Sequence, residues 1–85
     1  MVKVYRFTAS WCQPCKTLAK ALETRGLDVP TIDVDSEGAK ELMAKYGIRS
    51  VPTITIEYDN GVIKSITGSN PTLDQWLDIA DALDA

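Results

Sequence analysis

The chain has 85 residues, 45% hydrophobic and 25% charged, with no low-complexity stretch and no internal repeat. That composition predicts one small globular domain with a modest core. The formal net charge is -3 and no Lys/Arg cluster occurs, so the electrostatic footprint of a nucleic-acid binder is missing. No apolar run approaches the ~18 residues needed to span a bilayer. The first residues, "MVKVYRF", carry no long apolar segment and no small-residue cleavage site. The expectation is a cytoplasmic location, where a permanent structural disulfide is rare.

Residues 2–7, "VKVYRF", are rich in Val and aromatics and read as a strand. Residues 13–25 read as a helix with an apolar stripe of Leu18, Ala19 and Leu22, and Arg25-Gly26 supplies a basic last turn and a stop. "DVPTIDV", 28–34, reads as a second strand with Pro30 near its start, as an edge position allows. Ser36 is placed to cap a helix that runs through Tyr46, with Ala39, Leu42, Met43 and Tyr46 on one side and Gly47 at its end.

"TITIEY", 53–58, and "VIKSIT", 62–67, are strands joined by "DNG", a hairpin signal. Asn70-Pro71 is expected to open the last helix as cap and first residue, with Leu73, Trp76, Leu77, Ala80 and Leu83 buried. Asp74, Asp78 and Asp81 share a helical face that reads as solvated surface. The order is βαβαββα, which makes an α/β domain. A βαβ unit followed by a hairpin gives a four-stranded mixed sheet with helices on both faces.

The only two cysteines sit in "WCQPCK", Trp11 to Lys16. A structural zinc site normally takes four Cys/His ligands, and this chain has two cysteines and no histidine. A metal could then be held only with unusual carboxylate ligands or across a dimer. A staple across two intervening residues closes too small a loop to add much stability. The chemical reading accounts for each position. Cys12 falls at a helix N-terminus, where free backbone N–H groups and the macrodipole favour an anion. A thiolate is the attacking species in disulfide exchange. Cys15 lies one turn on, within reach of a mixed disulfide formed at Cys12. Pro14 suits the first turn. Lys16 either adds positive charge or is simply solvated. Trp11 is either a contact surface for substrates or a lid over the loop.

"WCQPCK" resembles the active-site motif of the thioredoxin family, with Gln13 where the family usually has Gly. "KYGIRSVPTITI", 45–56, is similar to the segment around the family's cis-proline, and Gly68 before the last helix also fits. The resemblance covers essentially the whole chain. It implies a thioredoxin fold, a cis Val51-Pro52 bond facing Cys12, and a docking surface made by Trp11, Val51 and Gly68, with backbone before Pro52 pairing to the substrate. The other reading of Pro52 is an ordinary strand-start proline.

The chain departs from larger thioredoxins by lacking their first strand and helix, which gives it a minimal, glutaredoxin-sized layout. Gln13 changes the dipeptide that tunes the redox potential. Arg6 stands where the family usually carries a buried Asp behind the second cysteine, and Thr31 replaces the Lys that commonly pairs with it. Arg6 either bends to solvent over its buried stem or places its charge near Cys15 and favours the thiolate. Proton transfer at Cys15 then uses water or another carboxylate.

The resemblance implies a dithiol–disulfide oxidoreductase in which Cys12 attacks and Cys15 resolves. No metal or organic cofactor is expected. The implied partners are thioredoxin reductase as electron donor and disulfide-containing proteins such as ribonucleotide reductase, with the chain acting as a monomer. Two other readings remain at this point. "LETRGLDVPTIDVD", 22–35, is similar to glutaredoxin-like redoxins dedicated to ribonucleotide reductase. The fold could also serve as an accessory binding subunit, against which the intact cysteine pair argues.

Overall fold

The computed structural model describes residues 1–85. Its elements are β1 (Lys3–Thr8), α1 (Gln13–Thr24), β2 (Thr31–Asp33), α2 (Ala39–Tyr46), β3 (Thr53–Glu57), β4 (Ile63–Thr67) and α3 (Leu73–Asp84). The sheet order is β2-β1-β3-β4. β1 runs parallel to β2 and antiparallel to β3, and β4 pairs antiparallel with β3. The expected βαβαββα order and mixed sheet are therefore present. Tyr58 and Val62 close the hairpin around Asp59-Asn60-Gly61, with Tyr58 N donating to Val62 O at 2.8 Å.

Alternation along β1 sends Val4 and Arg6 to one face and Tyr5 and Phe7 to the other. The Val4 side holds the larger core. Val4, Ile54, Ile56 and Ile66 meet Leu18 and Leu22 of α1 and Trp76, Ile79 and Ala82 of α3. On the opposite face the ring of Tyr46 from α2 meets Tyr5 at 5.8 Å and Phe7 at 6.1 Å. Helices thus cover both faces.

Four local expectations are corrected. β2 is three residues long instead of seven. Pro30 has no N–H to give to a ladder, so its carbonyl only accepts from Arg6 N at 2.8 Å and the strand begins after it. Ser36 does not cap α2. Asp33 Oδ1 accepts from Asp35 N at 2.9 Å, and the Ser36 hydroxyl donates to Asp33 O at 2.5 Å. These local bonds tie 33–36 into a turn, the usual competitor to a helix start. The helix begins instead after Gly38, which sits at φ +85°, a conformation open to glycine.

At α3, Thr72 is the cap in place of Asn70-Pro71. Its hydroxyl accepts from Gln75 N at 3.2 Å, while Gln75 Oε1 accepts from Thr72 N at 2.9 Å, a reciprocal capping box. The buried face of α3 is also rotated. Trp76, Ile79 and Ala82 are buried, whereas Leu73 and Leu77 are 74% and 52% exposed. The guanidinium of Arg25 lies 4.1 Å from the Trp76 ring, and Asp78 reaches Lys64 of β4 at 2.8 Å. With Trp76, Ile79 and Ala82 packed inward, Leu77 points about 100° away from Trp76 and faces outward.

Candidate active site

β1 delivers the chain to a short turn, and Cys12 N donates to Ala9 O at 3.2 Å to close it. Cys12 is the N-cap of α1, in extended conformation, and its Sγ accepts from Cys15 N at 3.2 Å. A sulfur thus takes the capping place usually held by a Ser, Thr, Asp or Asn oxygen. Pro14 lies in the first helical turn, where no intrahelical donor is lost. Cys12 and Cys15 form a disulfide, with their Cα atoms 5.3 Å apart. Both are buried, at 5% and 1% exposure, in a small cluster with Ala9 that Val34 and Val51 flank. Gln13, Pro14 and Lys16 are exposed around them.

Three other segments converge on the cysteines. The Val51-Pro52 peptide is cis, and Val51 O lies 3.8 Å from Cys12 Sγ. Gly68 N donates to Pro52 O at 3.0 Å, which fastens the loop after β4 to the loop before β3. Gly68 has φ +94°, where a side chain would be strained. Trp11 is 69% exposed beside the disulfide, and its Nε1 donates to Asp35 Oδ2 at 2.9 Å. Val51 thus meets Cys12, Gly68 is fastened to the adjoining Pro52, and Trp11 precedes Cys12 in the same turn.

The sequence reading did not single out Asp35 or the rest of the cleft beside Trp11. That cleft, of about 180 Å³, is lined by Trp11, Val34, Met43, Ile48, Arg49, Ser50 and Val51. One signal pointed to Asp35. β1 and β2 are parallel, with Thr8 opposite Asp33, so the residues after each strand emerge side by side at the carboxyl end of the sheet, where α/β sites form.

Arg6 is not part of this gathering. Its Nη2 donates to Thr31 Oγ1 at 3.0 Å, and it lines a groove with Ala19, Leu22 and Glu23 of the later turns of α1. Burial pulls its pKa below the ordinary arginine value. The two positions singled out in the sequence, Arg6 and Thr31, are thus partners.

This is an α/β domain that presents a cystine at a helix N-terminus next to an open, largely apolar surface. The family model described as Thioredoxin matches residues 2–79, and the chain belongs to the thioredoxin family. The thioredoxin of Streptomyces clavuligerus is 32% identical over 68 residues, which covers 76% of this chain and 64% of that protein. The thioredoxin of Listeria monocytogenes is 33% identical over 69 residues, covering 76% and 67%. The chain thus spans about two thirds of the length of these curated relatives. Among solved structures, the short form of spinach chloroplast thioredoxin f superposes with a TM-score of 0.72 at 28% identity, over 99% of this chain and 77% of that one. Malassezia sympodialis thioredoxin gives 0.73 at 25% identity, over 96% and 77%.

Proposed function

We propose that the chain is a protein dithiol–disulfide oxidoreductase of the thioredoxin type. The observation that carries the reading is the place of Cys12, a cystine sulfur at the N-cap of α1 beside the Val51 carbonyl. In this reading the reduced Cys12 thiolate attacks one sulfur of a target disulfide. A mixed disulfide forms and the target's other sulfur leaves as a thiolate. Cys15 then gives up its proton and attacks Cys12 Sγ. The Cys12–Cys15 disulfide closes and the second target sulfur leaves. Two electrons have passed from this chain to the target, through the sulfurs alone.

The local charges support that order. Cys12 Sγ already accepts the Cys15 amide, and that hydrogen bond becomes charge-assisted when the sulfur is a thiolate. Cys15 lies deeper, at 1% exposure against 5% for Cys12, so an incoming target disulfide meets Cys12 first. The first cysteine is thus suited to attack and the second to wait.

Trp11, Val51, Pro52 and Gly68 form the docking surface in this reading, with Gln13, Pro14 and Lys16 tuning the pair. The reading names thioredoxin reductase as the donor that restores the dithiol, and disulfide-containing proteins such as ribonucleotide reductase as acceptors. A reducing cytoplasm suits a chain that must be held as a dithiol, and a monomer leaves the surface around Trp11 free for targets. The family model and the curated relatives, all thioredoxins, do not favour the glutaredoxin-like or accessory-subunit readings.

The test is reduction of insulin disulfides with NADPH and thioredoxin reductase. The expected result is turnover by the unmodified chain and background rate for Cys12→Ser. Cys15→Ser is expected to hold targets as mixed disulfides that a reductant releases. A Cys12→Ser variant that works at the normal rate sinks the proposal.

A further inference from the structure

Arg6 is the one charged residue on the core-facing side of the two central strands. Its ladder neighbours are Ile54 on β3 and Thr31 on β2. Ile54 is fully buried, so the arginine stem runs beside the aliphatic core. The guanidinium carries five N–H donors, yet its one side-chain hydrogen bond goes to the neutral hydroxyl of Thr31. It takes part in none of the ion pairs of the molecule.

The Arg6 side chain opens into a groove of about 400 Å³ between the later turns of α1 and the segment 26–31. That volume falls within the ~300–1,000 Å³ of small-molecule sites. The apolar lining is Ala19, Leu22, Leu27 and Val29, and two exposed carboxylates, Glu23 and Asp28, complete it. The groove shares no residue with the cysteine cluster or with the cleft beside Trp11. It is a second concavity with chemistry of its own.

We propose that this groove binds a small monocarboxylate with a short aliphatic tail, the carboxylate on Arg6 and the tail along the partly exposed Ala19 and Leu27, over the buried edges of Leu22 and Val29. The fork of a guanidinium matches a carboxylate, and a partly desolvated one gains more from that pairing than an exposed one. The cost of burial is already visible in the lowered pKa of Arg6. Glu23 and Asp28 together outweigh the charge of Arg6, so beyond the direct pair with the guanidinium the lining disfavours a dianion more than a monoanion. The site therefore selects a carboxylate over a phosphate ester.

The test is a titration of the whole chain with hexanoate at neutral pH, followed by backbone amide NMR. Saturable shifts are expected at Leu22, Leu27, Val29 and Thr31. 1-Hexanol, of similar length and uncharged, is expected to bind at least about tenfold more weakly, a difference of ~1.4 kcal/mol. Hexyl phosphate is also expected to bind more weakly than hexanoate. Arg6→Gln is expected to cost hexanoate about tenfold or more and to leave hexanol unchanged. Equal binding of hexanol and hexanoate to the unmodified chain overturns the proposal, whatever the variant does. So does tighter binding of the phosphate ester, or the lack of any saturable shift by about 10 mM, weaker than ~3 kcal/mol of binding.

Discussion

On one face of the sheet, Val4, Ile54, Ile56 and Ile66 are closed in by two helices and meet almost nothing but hydrocarbon. On the other, Tyr5 and Phe7 meet the Tyr46 ring of α2, and polar groups lie among them. There Tyr46 donates to Glu57 Oε1 at 2.7 Å, and Lys45 stands 3.4 Å from the same oxygen. Thr53 is buried with its hydroxyl donating to Ser50 O at 2.8 Å, and Thr55 is buried with no hydrogen-bond partner for its own. The first face depends on burial, which has no direction and little pH dependence. The second depends on aligned donors and acceptors, whose worth changes with protonation.

Breaking the aliphatic face should give the largest effect. Ile54→Ala, at a fully buried position, is expected to lower unfolding stability by about 2–5 kcal/mol, measured by urea denaturation. A loss under about 1 kcal/mol would mean that this face collapses around the cavity and is less tightly packed than its contacts indicate.

The polar face should respond less at neutral pH and more in alkali. Tyr46→Phe is expected to cost about 1–2 kcal/mol for the lost bond to ionised Glu57. Burial, then the hydrogen bond and the negative charge of Glu57, raise Tyr46 from 10.0 to about 12. A raised folded-state pKa gives stability that is fully present below the unfolded value and lost as pH climbs through the folded one. Unmodified protein should therefore lose stability between pH 10 and about 12 more steeply than the Phe variant. Melting curves across that range check the slope, and parallel curves would remove Tyr46 as its cause. On the acid side, the Tyr46 hydrogen bond and Lys45 hold Glu57 below its ordinary 4.5. That contribution fades as pH falls below 4.5.

Two smaller changes sharpen the contrast. Thr55→Val removes a buried hydroxyl without a partner and keeps the branched shape. It is expected to raise stability by about 1 kcal/mol, and a loss of that size would show that the hydroxyl is satisfied in solution. Lys64→Ala breaks a pair with Asp78 that lies in solvent. The expected change is the smallest of the set, a barely resolved shift in urea midpoint that shrinks further in high salt.

The sequence carried the element order and the redox pair because both rest on local signals. Alternation in "TITIEY", the "DNG" turn and the Cys spacing each act within a few residues. What it missed depends on partners far along the chain. Leu77 has the right spacing for a buried stripe, but the rotation of α3 follows the burial of Trp76, Ile79 and Ala82 against the sheet and α1. Ser36 has the right chemistry for a cap, but Asp33 takes its hydroxyl first. Asp35 reads as one acid among several until the parallel pairing of β1 and β2 brings it under Trp11. Arg6 posed its question correctly in sequence, and only the groove beside α1 says where its charge faces.

The chain has two tryptophans, and the fold puts them in opposite settings. Trp11 is solvent-facing beside the cysteine pair, tethered by Asp35. Trp76 is buried under Arg25 between α1 and α3. The molecule therefore carries its own two fluorophores, one reading the state of the sulfurs and the other the integrity of the core. Emission of Trp11→Phe and Trp76→Phe variants separates the two signals, so opening of the disulfide and unfolding of the domain are each visible without a label.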